Sequence, residues 1–247
     1  MDSTLRDTFL RLWRTYFARA ELPITFYYAD DVGTSEVVFR PPQHRCVIAQ
    51  LAPVREGRAL SFAEDSIGCG GGKRYLGFTD ELHPNFEYFL SYGIPGELEG
   101  ERYKKTPGLV GEMMRTLPAF KAPGKYVIFK RWDRLDEDDS PQAVIFLGKP
   151  DVLSGLFTLA NYDRADPNGV FSPFCAGCGA IVQYPFLEKD TSHPRAVLGM
   201  FDVSARPCVP SGVLSFAVPI ERFVQMTGNM DESFLITHSW ERVQKRL

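Results

Sequence analysis

The sequence predicts an α+β protein with a long N-terminal helix followed by mixed sheet built from two pseudo-repeated β-α-β-type halves. Three observations support this fold class: an amphipathic run at the N-terminus, β-rich runs alternating with helical runs, and a similar order of elements in both halves of the chain. A chain of 247 residues buries enough surface to fold without disulfide bonds. We therefore expect a single domain, residues 1–247, duplicated at approximately 24–125 and 126–230.

The N-terminal helix is the clearest element. Apolar side chains recur at steps of three and four from Leu5 to Phe17, which predicts a helix over residues 3–20 with Ser3 as its N-cap. Further helices are predicted over residues 43–56, 108–117, 151–162 and 220–226. The predicted strands cover residues 24–28, 37–39, 59–62, 126–130, 143–147, 180–184, 197–203 and 213–218.

The similar order of elements indicates an internal repeat. Residues 37–39 and 144–146 are both apolar runs, and they are related by an offset of 107. Cys69 and Cys178 each stand between two glycines, and their offset is 109. A pseudo-twofold relation between the halves would place these two cysteines at equivalent positions in one shared cleft.

Composition and charge exclude several classes of function. The net charge is −3 and no long basic run is present, so nucleic acid is not an expected partner. No run approaches the roughly 18 apolar residues of a membrane-spanning helix. The N-terminus lacks the apolar core of a secretory signal, so we expect a cytoplasmic protein without a membrane partner. The 19 Phe residues predict an aromatic core or an apolar cleft.

The five cysteines are the most informative residues. An odd number of cysteines in a chain without a signal favours reduced thiols or metal ligands over disulfides. Cys175 and Cys178 have the C-x-x-C spacing with which two thiolates bind one metal ion or one cluster, and which redox dithiols also use. Three interpretations remain open: an iron–sulfur cluster with zinc as a variant, a redox-active dithiol, and inert thiols on structural turns.

Glycines and basic residues provide a second candidate site. The segment after Cys69 fails the P-loop pattern, since Ile67 and Arg74 stand where that pattern needs glycine and serine or threonine. A looser nest of backbone amides could still hold a carboxylate or phosphate, although a tight structural turn also explains the glycines. The charged segment 101–107 could contribute to the same site or be a solvated loop. The candidate ligand-binding residues are Gly70, Gly71, Gly72, Lys73, Arg74, Arg102 and Lys105.

The histidines form no recognisable zinc-hydrolase pair. His44 lies two positions before Cys46 and could be a ligand or a surface residue.

Three separated segments, residues 69–78, 101–107 and 175–182, together resemble the DUF169 family, which is found mainly in anaerobic bacteria and archaea. The resemblance spans about residues 24–228 and implies no established activity. It implies that Cys46, Cys69, one of Cys175 and Cys178, and Cys208 occupy positions where family members often carry cysteines. This chain departs from the family pattern in its glycines after Cys69, where relatives often have proline, and in its additional C-x-x-C cysteine.

These observations lead to the hypothesis of a cleft between the halves that binds an iron–sulfur cluster, or zinc instead. Its ligands would be Cys69, Cys175, Cys178 and Cys208, with Cys46 as the substitute ligand. The protein would act in electron transfer or redox sensing, together with a redox partner protein. The alternatives are a metal-free protein that binds a small anionic ligand at residues 68–74, and a C-x-x-C thiol oxidoreductase. Whether the protein is an enzyme stays open.

Overall fold

Helices and strands alternate along the chain around one mixed sheet. The computed structural model describes residues 3–40, 43, 45–118 and 120–247. The helices are α1 (Ser3–Tyr16), α2 (Val47–Gln50), α3 (Ala52–Arg55), α4 (Gly70–Tyr75), α5 (Phe86–Phe89), α6 (Pro107–Thr116), α7 (Pro150–Leu159), α8 (Tyr184–Glu188), α9 (Ile220–Gly228) and α10 (His238–Gln244). The strands are β1 (Ile24–Ala29), β2 (Glu36–Val37), β3 (Leu60–Phe62), β4 (Tyr126–Arg131), β5 (Ala143–Gly148), β6 (Val170–Phe171), β7 (Ala196–Gly199) and β8 (Leu214–Pro219). The predicted mixed α/β class and N-terminal helix are confirmed.

The strand order is symmetric about the centre of the sheet. Within the described residues the sheet has eight strands in the order β2-β3-β4-β1-β5-β8-β7-β6. The central pair β1 and β5 is antiparallel, and each edge pair, β2 with β3 and β6 with β7, is parallel. The remaining neighbours are antiparallel on both sides. Each half of the sheet therefore has the same strand order and directions, counted outward from the centre.

The predicted residue-level repeat is not confirmed. Its offset of 107 aligns residues 37–39 with residues 144–146. Those segments belong to β2 and β5, and β2 is an exposed edge strand whereas β5 is central and buried. The sheet instead relates β2 to β6 and β1 to β5. The division between residues 125 and 126 stays a prediction; in the sheet, β4 lies between β3 and β1.

Successive residues of a strand point to opposite faces of the sheet. The sheet therefore lies between two hydrophobic clusters. On β5, Ala143 and Ile145 belong to one cluster, and Val144 and Phe146 belong to the other. We call the first side the thiol face, because all five cysteines pack in its cluster. The second side is the aromatic face, whose cluster includes Phe9, Trp13, Trp132, Phe146 and Phe223.

Several predicted elements differ from the structure. The N-terminal helix, predicted to residue 20, ends at Tyr16. The predicted strand over residues 180–184 is wrong, because Gly179–Gln183 is a π-helix that runs into α8. All five of its residues are buried, and a continuous apolar run does not distinguish a strand from a buried helix. The predicted helix over residues 43–56 is two short helices, α2 and α3. The predicted strand over residues 197–203 ends at Gly199.

Candidate functional site

The five cysteines, which we call the thiol cluster, are carried by four connections on the thiol face. Cys46 is the N-cap of α2, in the connection between β2 and β3. Cys69 is the N-cap of α4, between β3 and β4. Cys175 and Cys178 stand at the start of the helical segment 177–188, between β6 and β7. Cys208 ends a 3₁₀ turn between β7 and β8.

The thiols of these connections approach one another. Cys178 interacts electrostatically with Cys69, Cys46 and Cys175. Cys46 also interacts with Cys208 and with Cys69. The Cys178 thiol donates to the carbonyl oxygen of Gly71 at 3.9 Å, next to the turn that carries Cys69. Thiols from both halves of the sheet therefore face a common region.

Burial raises the pKa of Cys46, Cys69, Cys175 and Cys178. The pKa of Cys46 rises to about 11 and that of Cys175 to about 12, mainly because the protein removes water from the thiolate form. The pKa of Cys178 rises well above its ordinary value for the same reason, and the neighbouring thiols add to the rise. In the absence of a bound cation these thiols are protonated at neutral pH and are weak nucleophiles.

Two kinds of glycine surround the thiol cluster. A Cβ on Gly72 would lie 2.7 Å from Val47, and one on Gly179 would lie 2.8 Å from the ring of Tyr75. These glycines let neighbouring elements pack closely. Gly70 and Gly71 are exposed, and an added Cβ would meet no atom at Gly70 and only the Cys69 sulfur, at 3.9 Å, at Gly71. The backbone beside Cys69 is thus open to solvent.

The glycine-rich segment is the first turn of helix α4, and several of its polar groups already have partners within the protein. The Gly72 amide donates to the Cys69 sulfur at 3.4 Å, so the thiol caps α4. Lys73 lies 3.9 Å from a carboxylate oxygen of Glu64, and Arg74 donates to the carbonyl of Asp80. The protein itself therefore engages both basic side chains of the predicted anion site.

The charged segment 101–107 lies against the second half of the sheet. Lys104 stands 4.2 Å from the ring centroid of Phe174, the residue before Cys175. Tyr103 interacts with Ser204 and Asp202. Arg102 and Lys105 are exposed. This segment therefore passes beside the thiol cluster, and the assignment of Arg102 and Lys105 to an anion site stays a prediction.

Asp202 and Tyr75 were not among the predicted site residues, yet both face the thiols. The carboxylate of Asp202 accepts the Gly177 amide at 3.1 Å, and its charge acts on Cys69, Cys175 and Cys178. The Tyr75 ring packs against Gly179, close to Cys175. Tyr75 lies in segment 69–78, which resembles the DUF169 family, but neither residue matches a ligand pattern, so only the folded arrangement places them beside the thiols.

The arrangement is not that of a closed site for one metal ion. Among the described residues, no three His, Cys, Asp or Glu side chains are placed to hold a single ion. His44, the additional candidate ligand, lies outside the described residues. Among the residues that the structure describes, no helix is both long and apolar enough to cross a membrane.

Comparison with known proteins gives a family and no activity. No curated protein and no solved structure matches the chain significantly. A family model described as uncharacterised ArCR matches residues 20–229 of the 247 residues. That match covers the whole sheet and all five cysteines, and the chain therefore belongs to the DUF169 family.

Proposed function

We propose that the thiol cluster binds an iron–sulfur cluster and that the protein acts in electron transfer or redox sensing. The supporting observation is the convergence of five cysteines from four connections on one face of the sheet. Scattered structural cysteines would be expected on both faces, since buried cysteine behaves as a small apolar residue. Thiolates are the usual ligands of iron–sulfur clusters, which take four of them.

The symmetry of the sheet suggests which four cysteines are the ligands. Cys46 and Cys178 lie in the two equivalent crossovers, β2 to β3 and β6 to β7. Cys69 and Cys208 lie in the two equivalent connections that follow, β3 to β4 and β7 to β8. Cys175 and Cys178 share the β6 to β7 connection, but Cys178 is the one that interacts with both Cys46 and Cys69. In this proposal Cys46 is therefore a full ligand, and Cys175 is the cysteine that the site does not require.

The donor set fits a cluster better than a single ion. Zinc needs its four ligands around one centre, with Zn–S bonds of about 2.3 Å. No such group occurs among the described residues. In a [4Fe–4S] cluster each cysteine binds a different iron, and in a [2Fe–2S] cluster two pairs bind two irons, so the four ligand sulfurs do not surround one centre. The Gly72 amide already donates to the Cys69 sulfur, and amide hydrogen bonds to sulfur tune cluster potentials. A bound cluster would supply one-electron chemistry. A redox partner protein would be needed to donate or accept the electrons.

The two other hypotheses have less support. A thiol oxidoreductase needs a thiol whose pKa is lowered, whereas burial raises the pKa of both cysteines of the C-x-x-C pair. A metal-free anion site at residues 68–74 would need free cations, whereas Lys73 and Arg74 already contact protein oxygens.

The test is the content of iron, acid-labile sulfide and zinc in anaerobically purified protein, together with its visible absorption spectrum. We expect stoichiometric iron and sulfide, and loss of most of both in the Cys69→Ser and Cys178→Ser variants. Cys175→Ser is the matched control, because it changes the other cysteine of the same C-x-x-C pair and should keep the cluster.

Three outcomes would count against the proposal. Colourless, metal-free protein after reconstitution with iron and sulfide would exclude the cluster. Zinc without iron would favour the zinc alternative. An equal loss of iron in Cys175→Ser and Cys178→Ser would contradict the proposed choice of ligands.

A further inference from the structure

Asp202 occupies the loop between β7 and β8, ahead of the turn that carries Cys208. It is half-buried, while its neighbours Phe201 and Val203 are exposed. Its carboxylate therefore points back into the protein between two side chains that do not.

Both carboxylate oxygens of Asp202 are used by the backbone around the thiol cluster. One accepts the amide of Gly177 at 3.1 Å, at the start of the helical segment that holds Cys178. The other accepts the amide of Ser204 at 3.0 Å and its hydroxyl at 2.8 Å. The main-chain carbonyl of Asp202 accepts the amides of Ala205 and Arg206, each at 3.1 Å, which form the turn leading to Cys208. One residue thus joins two cysteine-bearing connections.

The packing around these hydrogen bonds is tight. A Cβ on Gly177 would lie 2.9 Å from the sulfur of Met200 and 3.1 Å from the Cβ of Ala205. Met200 itself has a φ of 68°, a left-handed conformation that a residue with a side chain adopts at an energetic cost. This left-handed residue lies two positions before Asp202. The conformation turns the loop toward Gly177.

We infer that Asp202 is the positioning residue that holds the Cys175–Cys178 segment and the Cys208 turn together, so that their thiols face one region. This inference deepens the proposed function and rests on it for the purpose of the site. The hydrogen bonds that carry it exist without a bound cluster, so its test does not require one.

Two substitutions separate the hydrogen bonds of Asp202 from its charge. Asp202→Ala removes both. Asp202→Asn removes the charge and keeps one acceptor oxygen for the Gly177 amide. Cys69 faces the same charge but lies on α4, which receives no bond from this carboxylate, so it reports the effect of charge alone. Asp166→Ala is the control, because Asp166 makes a similar local bond to the Asn168 amide in an exposed loop.

The experiment measures the alkylation rate of each cysteine in the metal-free full chain by mass spectrometry. Loss of a neutral hydrogen bond should raise the rates at Cys175 and Cys208 about fivefold in Asp202→Ala relative to Asp202→Asn. Cys69 should change equally in the two variants, and Asp166→Ala should resemble the unmodified protein. If Cys175 and Cys208 are each alkylated at the same rate in Asp202→Ala as in Asp202→Asn, the inference is overturned. The same acceleration at all five cysteines would also overturn it, since it would indicate general loosening.

Iron binding gives the second readout. After reconstitution, Asp202→Ala should bind iron about 10-fold more weakly than Asp202→Asn, as expected when a supporting residue around a metal site is lost. If the unmodified protein binds no iron, the proposed function fails while the alkylation rates still decide the role of Asp202.

Discussion

The two faces of the sheet are covered by different kinds of helix. On the aromatic face, α1, α7 and α9 have 14, 10 and 9 residues and pack against a shared group of rings. On the thiol face, α2 and α4 have only 4 and 6 residues, and α8 is the end of the helical segment 177–188. All five cysteines lie among these helices and their neighbouring turns. Long amphipathic helices bury continuous apolar stripes, whereas short helices bring several chain reversals to one place. From this difference we expect the aromatic face to contribute most of the stability and the thiol face to carry the proposed site.

The largest expected effect is on the aromatic face. Phe223 is 2% exposed, and its ring centroid lies 4.6 Å from that of Trp132 and 4.8 Å from that of Phe9. Phe223→Ala should lower the free energy of unfolding by about 3–5 kcal/mol, because it leaves a cavity among these rings. Denaturant unfolding measures the change. Phe157→Ala on α7, where the side chain is 47% exposed, is the control and should change stability far less. Similar losses in both variants would contradict the assignment of stability to this face.

Thiol reactivity tests the opposite face. The pKa of Cys46 is raised to about 11 and that of Cys175 to about 12 by burial. At pH 8 the metal-free protein should therefore be alkylated at these positions at least about 100-fold more slowly than a peptide thiol, because the thiolate is the reacting form. The rates should rise about tenfold per pH unit up to pH 10, and unfolding in urea should abolish the difference. Fast alkylation near neutral pH would instead favour the thiol oxidoreductase hypothesis.

Two neighbouring glycines should respond in opposite directions. Gly72→Ala should cost about 1–3 kcal/mol of stability, since its Cβ would lie 2.7 Å from Val47 and 3.1 Å from Ile67. Gly70→Ala, where a Cβ meets no atom within 4 Å, should stabilise by about 0.4–1 kcal/mol through the unfolded chain. Both are measured by denaturant unfolding. A stabilising Gly72→Ala would mean that α4 does not pack against α2 as described.

A further effect, confined to acid pH, concerns the aromatic face. Hydrogen bonds from Arg222 lower the pKa of Asp163 from 3.8 to about 2. The folded-state value lies below the unfolded one, so the stabilisation is fully present above about pH 4 and is lost as the pH falls toward 2. About 1–2 kcal/mol is expected after allowing for the 33% exposure of Asp163.

The measurement is the free energy of unfolding between pH 5 and pH 2. Asp163→Asn should flatten that pH dependence, whereas the exposed control Asp65→Asn should not. An unchanged slope in Asp163→Asn would assign the acid sensitivity to other carboxylates.

Some elements were predictable because local pattern and packing agree. The three- and four-residue spacing in residues 3–20 predicted α1, and the core strands β1, β4, β5 and β8 were placed within a residue or two. The run at residues 180–184 failed because its residues are buried on all sides, which removes the periodicity that separates helix from strand. Likewise, the repeat by sequence offset paired strands that the sheet does not make equivalent.

The sequence by itself determined the class of fold, the amphipathic N-terminal helix, the family and the identity of the candidate thiols, because these depend on residue type and near-neighbour spacing. Only the tertiary structure decided that the cysteines share one face, that Lys73 and Arg74 already have partners, and that Asp202 joins two of the connections. The shared face and the place of Asp202 arise from contacts between separate connections, as far apart as Cys46 and Cys208. Such contacts depend on how the sheet orders its strands, which local spacing does not encode.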